Sequence, residues 1–326
     1  GAPTPEPGSE GSMKRSGAAA ASPPAKRTWR CPYLDTIQRN LLDFDFEKVC
    51  SETLTNHNVY ACLVCGKYFQ GRGCHTPAYT HSVQASHHVF INLGTMKIYC
   101  LPDNYEVVDS SLRDIQDCLD PRFTGGDAIA KVDANTNLAR DVFGVTYLPG
   151  FVGLNNLQGT DYVSVVVQAL ARVKPLRDHF LREAPADGLP ELDDRPRALA
   201  TLAERFGTLM RKIWSAKNFK SNVSPHELLQ AISLASDKRF QIGKPADAAK
   251  FLSWFLNALH VGLGGSKRKS SSPVSAALRG SVVVKQLRRT RRIVEAKGND
   301  DGDETSPNPN PNPNPNTAPN PFAVSP

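Results

Sequence analysis

The sequence predicts an α+β protein: a small zinc-binding α/β finger, then a mainly helical part, with disordered tails at both ends. Three observations carry that expectation. Cys62-Leu-Val-Cys65 is followed by His81, His87 and short strand-like apolar segments. Beyond residue 148 the apolar residues recur at spacings of three and four, as on helices. Both ends are rich in Pro, Gly, Ser and basic residues and poor in apolar ones.

A length of 326 residues suits two domains plus tails. The hydrophobic fraction of 40% is enough for packed cores. The net charge of +7 points to acidic partners such as nucleic acid, but the basic residues cluster at the ends. No apolar run is long enough for a membrane-spanning helix, so no membrane partner is expected. The N-terminus lacks the apolar stretch of a signal peptide. Seven cysteines, an odd number, favour reduced thiols and metal over a disulfide framework.

Residues 1–29 carry too little apolar surface to offset their ordering entropy and are expected to be a disordered basic tail. Lys14-Arg15 and Lys26-Arg27 read as a bipartite nuclear import signal or as a solvated tail. The finger is expected over 30–125. Leu41, Leu42, Phe44 and Phe46 suit a short packed segment. Val89-Phe-Ile-Asn-Leu93 and Met96-Lys-Ile-Tyr-Cys100, joined by Gly94-Thr95, predict a hairpin. Tyr105-Glu-Val-Val108 adds a strand after a Pro102-Asp-Asn turn.

A helical linker is expected over 126–147 and the second domain over 148–265. That domain opens on a polar turn before Asp161, which reads as a helix N-cap. Leu199, Leu202, Phe206, Leu209 and Ile213 form one apolar stripe. Ser224-Pro225-His226-Glu227 reads as a capping box with Pro at the first helical position. Residues 246–259 predict a mostly buried helix, and order is expected to end at 262–265. Over 266–326 a tail follows: basic blocks at Lys267-Arg-Lys269 and 288–292, an acidic stretch at 299–304, then a Pro-Asn repeat with no apolar face.

Cys62-x2-Cys65 places two thiolates on one tight knuckle, and His81 and His87 complete a tetrahedral set. Zinc suits mixed sulfur and imidazole ligands, and four protein ligands mean a structural site. In so small a segment the metal supplies much of the folding free energy. His87 is preferred to His88 as the fourth ligand, with Cys74 and His75 as spectators. Cys31, Cys50 and Cys100 read as buried free thiols, with a second metal site as the alternative.

The motif Cys62-x2-Cys65-Gly66 with His81 and His87 resembles the ubiquitin-protease-type zinc finger. Gly153-Leu-Asn-Asn-Leu-x-Gly-Thr-Asp161-Tyr, with Val167-Gln-Ala-Leu170, resembles the Cys box of the ubiquitin-specific proteases. Asp247-Ala-x-x-Phe251-Leu resembles a thumb-helix segment of that family. The likeness is densest to its splicing-associated, catalytically inactive subgroup, through Cys31-Pro-Tyr-Leu-Asp-Thr-Ile, residues 60–73 and Tyr99-Cys-Leu-Pro-Asp-Asn-Tyr105. The resemblance implies a truncated papain-like thumb portion after the finger. It also implies a nuclear scaffold whose partners are spliceosomal tri-snRNP proteins. The basic tails read either as weak, salt-dependent contacts to RNA or acidic partners or as solvated chain.

Against the active pattern, Asp161 stands where the family carries its Cys, and a carboxylate is a poor nucleophile toward an amide. Asn156 matches the oxyanion-stabilising Asn, so the resemblance implies a degenerate site with no catalytic residue. The likeness stops near Gly265 or at Arg279-Gly280-Ser281, before the region that supplies the family's His and Asp/Asn; His179, His226 and His260 lie in other contexts. Lys67 stands where ubiquitin-gripping fingers carry Arg, which weighs against ubiquitin binding, although Arg72 is near in sequence. The alternatives are a ubiquitin-binding module, an active deubiquitinase, and RNA stacking by Tyr68, Phe69 and Tyr79, which a finger core would otherwise use for packing. A truncated thumb also predicts an exposed apolar patch along 251–259, unless the basic tail or a partner covers it.

Overall fold

The computed structural model describes residues 1, 31–124, 126–182, 194–266 and 271–280. The tails, with their Lys-Arg pairs, basic blocks, acidic stretch and Pro-Asn repeat, lie outside the described residues apart from Gly1, Ser266 and residues 271–280.

The finger is an antiparallel sheet with a helix inserted: β1 (Val59–Cys62), β2 (Tyr68–Gln70), α1 (Pro77–Ala85), β3 (Val89–Asn92), β4 (Ile98–Cys100) and β5 (Tyr105–Val107). The strand order is β2-β1-β3-β4-β5. The expected hairpin forms, pairing Val89 with Cys100 and Ile91 with Ile98. Its turn is held by Asn92, whose Oδ1 accepts from the Gly94 and Thr95 N–H groups. The expected third strand pairs Ile98 with Val107.

Strand alternation sorts the side chains into two cores. Val59, Ala61, Val89 and Ile91 pack with Leu42, Phe44 and Ile115, the last from α2 (Arg113–Leu119). Tyr60, Cys62, Phe69 and Phe90 face the other way, with Ala78 of α1. Both faces of β1 and β3 are therefore covered, and every residue of these two strands is buried.

The linker is helical only in its first half, as α3 (Gly126–Ala134). Its second half is a hairpin of β6 (Ala139–Arg140) and β7 (Thr146–Tyr147), which corrects the all-helical expectation. The cause is Asp141. Its Oδ1 accepts from the N–H groups of Phe143 and Val145, and its Oδ2 accepts from Ser221 N–H. A buried side chain that satisfies three backbone donors favours a turn over a helix.

The helical part consists of β8 (Gly153–Leu154), α4 (Asp161–Leu170), α5 (Lys174–Leu181), α6 (Asp194–Trp214), β9 (Asn222–Val223), α7 (His226–Ala235), α8 (Ala248–Gly262) and α9 (Pro273–Leu278). β8 and β9 pair in parallel. The predicted stripe is the inner face of α6: Leu202, Phe206, Leu209 and Ile213 are buried. It meets α5, α7 and α8. The rings of Phe180, Phe206, Phe255 and Phe251 lie in a chain with neighbouring centroids 5.0–5.3 Å apart. Each such ring contributes about 2–3 kcal/mol by leaving water.

Three expectations are corrected here. The 251–259 helix exposes no apolar patch: Phe251, Phe255 and Leu259 are 0% exposed, because α6 and α4 cover them. The folded part continues past Gly265, since α9 buries Val274 on the core behind a Ser272 capping box. The box expected at Ser224 does not form. The Ser224 N–H is drawn to Asp45 Oδ2 instead, Glu227 turns to Arg205 at 3.4 Å, and Ser224 Oγ is buried without a hydrogen-bond partner.

Finger and helical part meet on a polar seam around α6. Lys212 is buried; its Nζ donates to the Phe44 carbonyl and to Asp45, both at 2.8 Å. Burial pulls the Lys212 ammonium down, but the Asp45 carboxylate outweighs this and leaves it above its ordinary value. Lys220 pairs with Asp43, and Lys217 with Asp117. Phe219, just after α6, inserts its ring into the finger core.

Candidate metal centre and the turn before α4

Cys62 closes β1, and Cys65 sits in the turn that leads to β2. Gly66 makes that turn possible at φ +75°, where its N–H reaches the Cys62 carbonyl at 2.9 Å. A side chain at Gly66 would strike the Leu41 backbone. His81 comes from α1. His87 follows Ser86, whose left-handed φ of 54° ends that helix and turns the chain back to the site.

The four ligand atoms lie within 4.8 Å of one another, and they are the metal-ligating cluster found among the described residues. Cys62 Sγ is 3.5 Å from His87 Nδ1, Cys65 Sγ is 3.4 Å from His81 Nε2, and the two ring nitrogens are 3.1 Å apart. Tetrahedral zinc with ordinary bond lengths requires sulfur–nitrogen edges of about 3.6 Å and nitrogen–nitrogen edges of about 3.3 Å. The residues fit a zinc ion. The Cys62 side chain holds the Cys65 thiol well below the usual range, while Cys65 and burial drive Cys62 up. Binding zinc requires both thiols to be deprotonated.

His88 is held elsewhere, its Nδ1 against the Leu101 carbonyl and its ring 4.1 Å from Tyr33. Cys74 is exposed. Cys31, Cys50 and Cys100 are buried free thiols, and Cys50 Sγ accepts from the N–H groups of Gln70 and Thr53. Sequence reasoning missed the wall of the site: the Phe69 ring stacks on His81 at 4.1 Å. The strand alternation of Tyr68-Phe69-Gln70 carried that signal, since it sends Phe69 to the Cys62 face. Tyr68 and Phe69 are both buried, as packing residues are. Arg72 lies 4.2 Å over Tyr99 and donates to Asn104.

The turn before α4 is built from its own side chains. Asn156 Oδ1 accepts from Thr160 N–H at 2.9 Å, and Thr160 Oγ1 accepts from Leu157 N–H at 3.0 Å. Gln158 and Gly159 take positive φ to close the loop. Asp161 is not the N-cap: that position is Thr160, and Asp161 is the exposed first helical residue with no capping bond. Its charge still complements the positive end of α4. His179 lies beside Phe180, His226 beside Phe46, and His260 bonds Ser272 Oγ at 2.7 Å.

Residues 50–112 match the family described as "Zn-finger in ubiquitin-hydrolases and other protein". Residues 152–290 match "Ubiquitin carboxyl-terminal hydrolase", a span that runs past Gly265. The chain is 55% identical to the human "Ubiquitin carboxyl-terminal hydrolase 39" over 260 residues, which is 79% of this chain and 45% of the relative. It is 48% identical to the "Probable mRNA-splicing protein ubp10" of Schizosaccharomyces pombe over 243 residues, 74% of this chain and 46% of that one. It therefore spans about half the length of the curated relatives it matches. Among solved structures it resembles "an essential yeast splicing factor", with a TM-score of 0.60 and 33% identity, over 69% of this chain and 53% of that one. Finger geometry, helical fold and these likenesses agree, and the chain belongs with the proteins that join a ubiquitin-hydrolase-type zinc finger to a ubiquitin carboxyl-terminal hydrolase domain.

Proposed function

We propose that the chain is a non-catalytic scaffold in pre-mRNA splicing. It acts in the nucleus, supporting tri-snRNP assembly or recruitment through protein contacts. Relatives named as splicing proteins support the splicing role. The observation that carries the non-catalytic part is the turn before α4. It keeps its shape through Asn156 and Thr160, yet it leads into Asp161, a carboxylate that is a poor nucleophile and repels a developing oxyanion. Zinc has no catalytic part here, because four protein ligands leave no open position. The engagement of Arg72 with Tyr99 and Asn104 speaks against its capture of a ubiquitin carboxylate.

The test has two arms. The full chain is incubated with a ubiquitin-aldehyde probe and a fluorogenic ubiquitin substrate, and no adduct or turnover is expected. Turnover that Asp161→Ala abolishes would overturn the non-catalytic reading. In parallel, the tagged chain is recovered from nuclear extract, with tri-snRNP proteins expected in the eluate for the wild type and for Asp161→Ala alike. Their absence, with ubiquitin conjugates present, replaces the scaffold by a ubiquitin-binding module.

A further inference from the structure

Beside the seam, α3 and the C-terminal end of α6 enclose an open groove of about 430 Å³. Its walls include Phe123, Val132, Pro149 and Trp214. It runs on, through Phe123 and Ala216, into a second hollow of about 180 Å³ bordered by Arg122 and Lys217. Asn137 and Pro149, at the base of the β6–β7 hairpin, also line it. That hairpin displays apolar side chains to solvent: Leu138 is 64% exposed and Phe143 61%. Phe151, just beyond, is 60% exposed. The display is rigid, because Asp141 fixes the turn and Val142 N–H donates to the Phe219 carbonyl. An apolar groove with a rigid apolar flank marks an interaction site.

Charge selects the occupant. Around the groove Asp117, Asp120 and Asp133 are each taken by a basic partner: Lys217, Arg122 and Arg177 respectively. Lys131 on the groove wall and Arg140 on the hairpin are exposed and form no ion pair among the described residues; Asp127, one turn back on α3 and outside the groove lining, is exposed and unpaired as well, which leaves this rim net basic. We infer that the groove and hairpin together dock an acidic, apolar segment of another protein. This rests on the scaffold reading above and names its contact surface.

The chain's own segments fit less well. Residues 281–292 bring Lys285, Arg288, Arg289, Arg291 and Arg292, all of the rim's sign. The acidic stretch 299–304 has no apolar residue. The stretch 183–193 is acidic and apolar but tied at both ends. Its C-terminal end enters α6 at Asp194, about 30 Å along that helix from Trp214. A second copy would bring the same basic rim.

The full chain carrying p-benzoylphenylalanine in place of Leu138 is irradiated in nuclear extract, and the linked peptides are identified. The expected product joins residue 138 to a segment of another protein in which Asp or Glu alternates with apolar residues. Ala128→Trp, which fills the groove, and Lys131→Glu, which reverses the rim, each lower its yield at least tenfold, while zinc content and thermal transition stay unchanged. Links to RNA, to a second copy, to 183–193 or to 281–326 overturn the proposal. So does a yield no higher than from the same probe at Leu234, an exposed position on α7. If the wild-type chain recovers no splicing particles, the scaffold reading fails. If it recovers them and neither groove variant changes the yield, only the docking site fails.

Discussion

The finger and the helical part solve the same stability problem with different means. The finger spreads its side chains over two small cores, one on each face of the sheet, and closes one of them with two cysteines and two histidines. The helical part gathers Phe180, Phe206, Phe251 and Phe255 around α6 in one large apolar core. Small cores need a staple, and large ones do not. Yet the seam at Lys212 and Phe219 makes each part depend on the other, so the contrast is one of energy source rather than of independence.

Removing the metal is the strongest way to break the contrast. Cys62→Ser, or a strong chelator, removes a contribution on the order of 10 kcal/mol from the finger. Metal analysis is expected to fall from one zinc per chain to none, and limited proteolysis to cut within 50–112 while α6 and α8 stay protected. Equal loss of protection in both parts would show that the helical part cannot stay folded without the finger. Phe206→Ala attacks the other source and costs about 3–5 kcal/mol. It lowers the thermal midpoint seen by helical circular dichroism, with zinc still bound.

Lys212→Ala tests the seam. It orphans the Phe44 carbonyl and removes the cation from Asp45, a loss of about 2–4 kcal/mol because both partners are largely buried. One calorimetric transition is expected to separate into two; a single unsplit transition would mean that Phe219 alone couples the parts. The same pair responds to base: the raised folded value of Lys212 adds stability that is complete below about pH 10 and fades as pH climbs past the folded value.

The smallest effect is acid release of α3. Hydrogen bonds from Arg177 and then Lys174 hold the Asp133 carboxyl far below the usual carboxylate range. Its folded value lies below the unfolded one, so its contribution is present above about pH 4 and is lost as pH falls further. Amide exchange over 126–134 is expected to rise below that pH, and Asp133→Asn to raise it at neutral pH as well.

Much of this was legible from local rules. The Cys-x2-Cys knuckle with His81 and His87, the 89–100 hairpin and the α6 stripe each depend on nearby residues or a strict period, and each is found where expected. What failed depended on distant partners. Ser224 gives up its cap because Asp45, far away in sequence, takes its N–H. Asp141 turns the linker into a hairpin by bonding Ser221 as well as its neighbours. The supposed bare face at 251–259 is closed by α6 and α4, contacts that the period of one helix cannot reveal.

Phe219 has a consequence for how such a chain evolves. Its ring belongs to the finger core, but its backbone belongs to the segment after α6 and holds the β6–β7 hairpin through its carbonyl. A gene fragment ending at the finger's apparent boundary would therefore leave part of that core behind. A finger moved without the segment after α6 would have to fill the place of the Phe219 ring with another side chain.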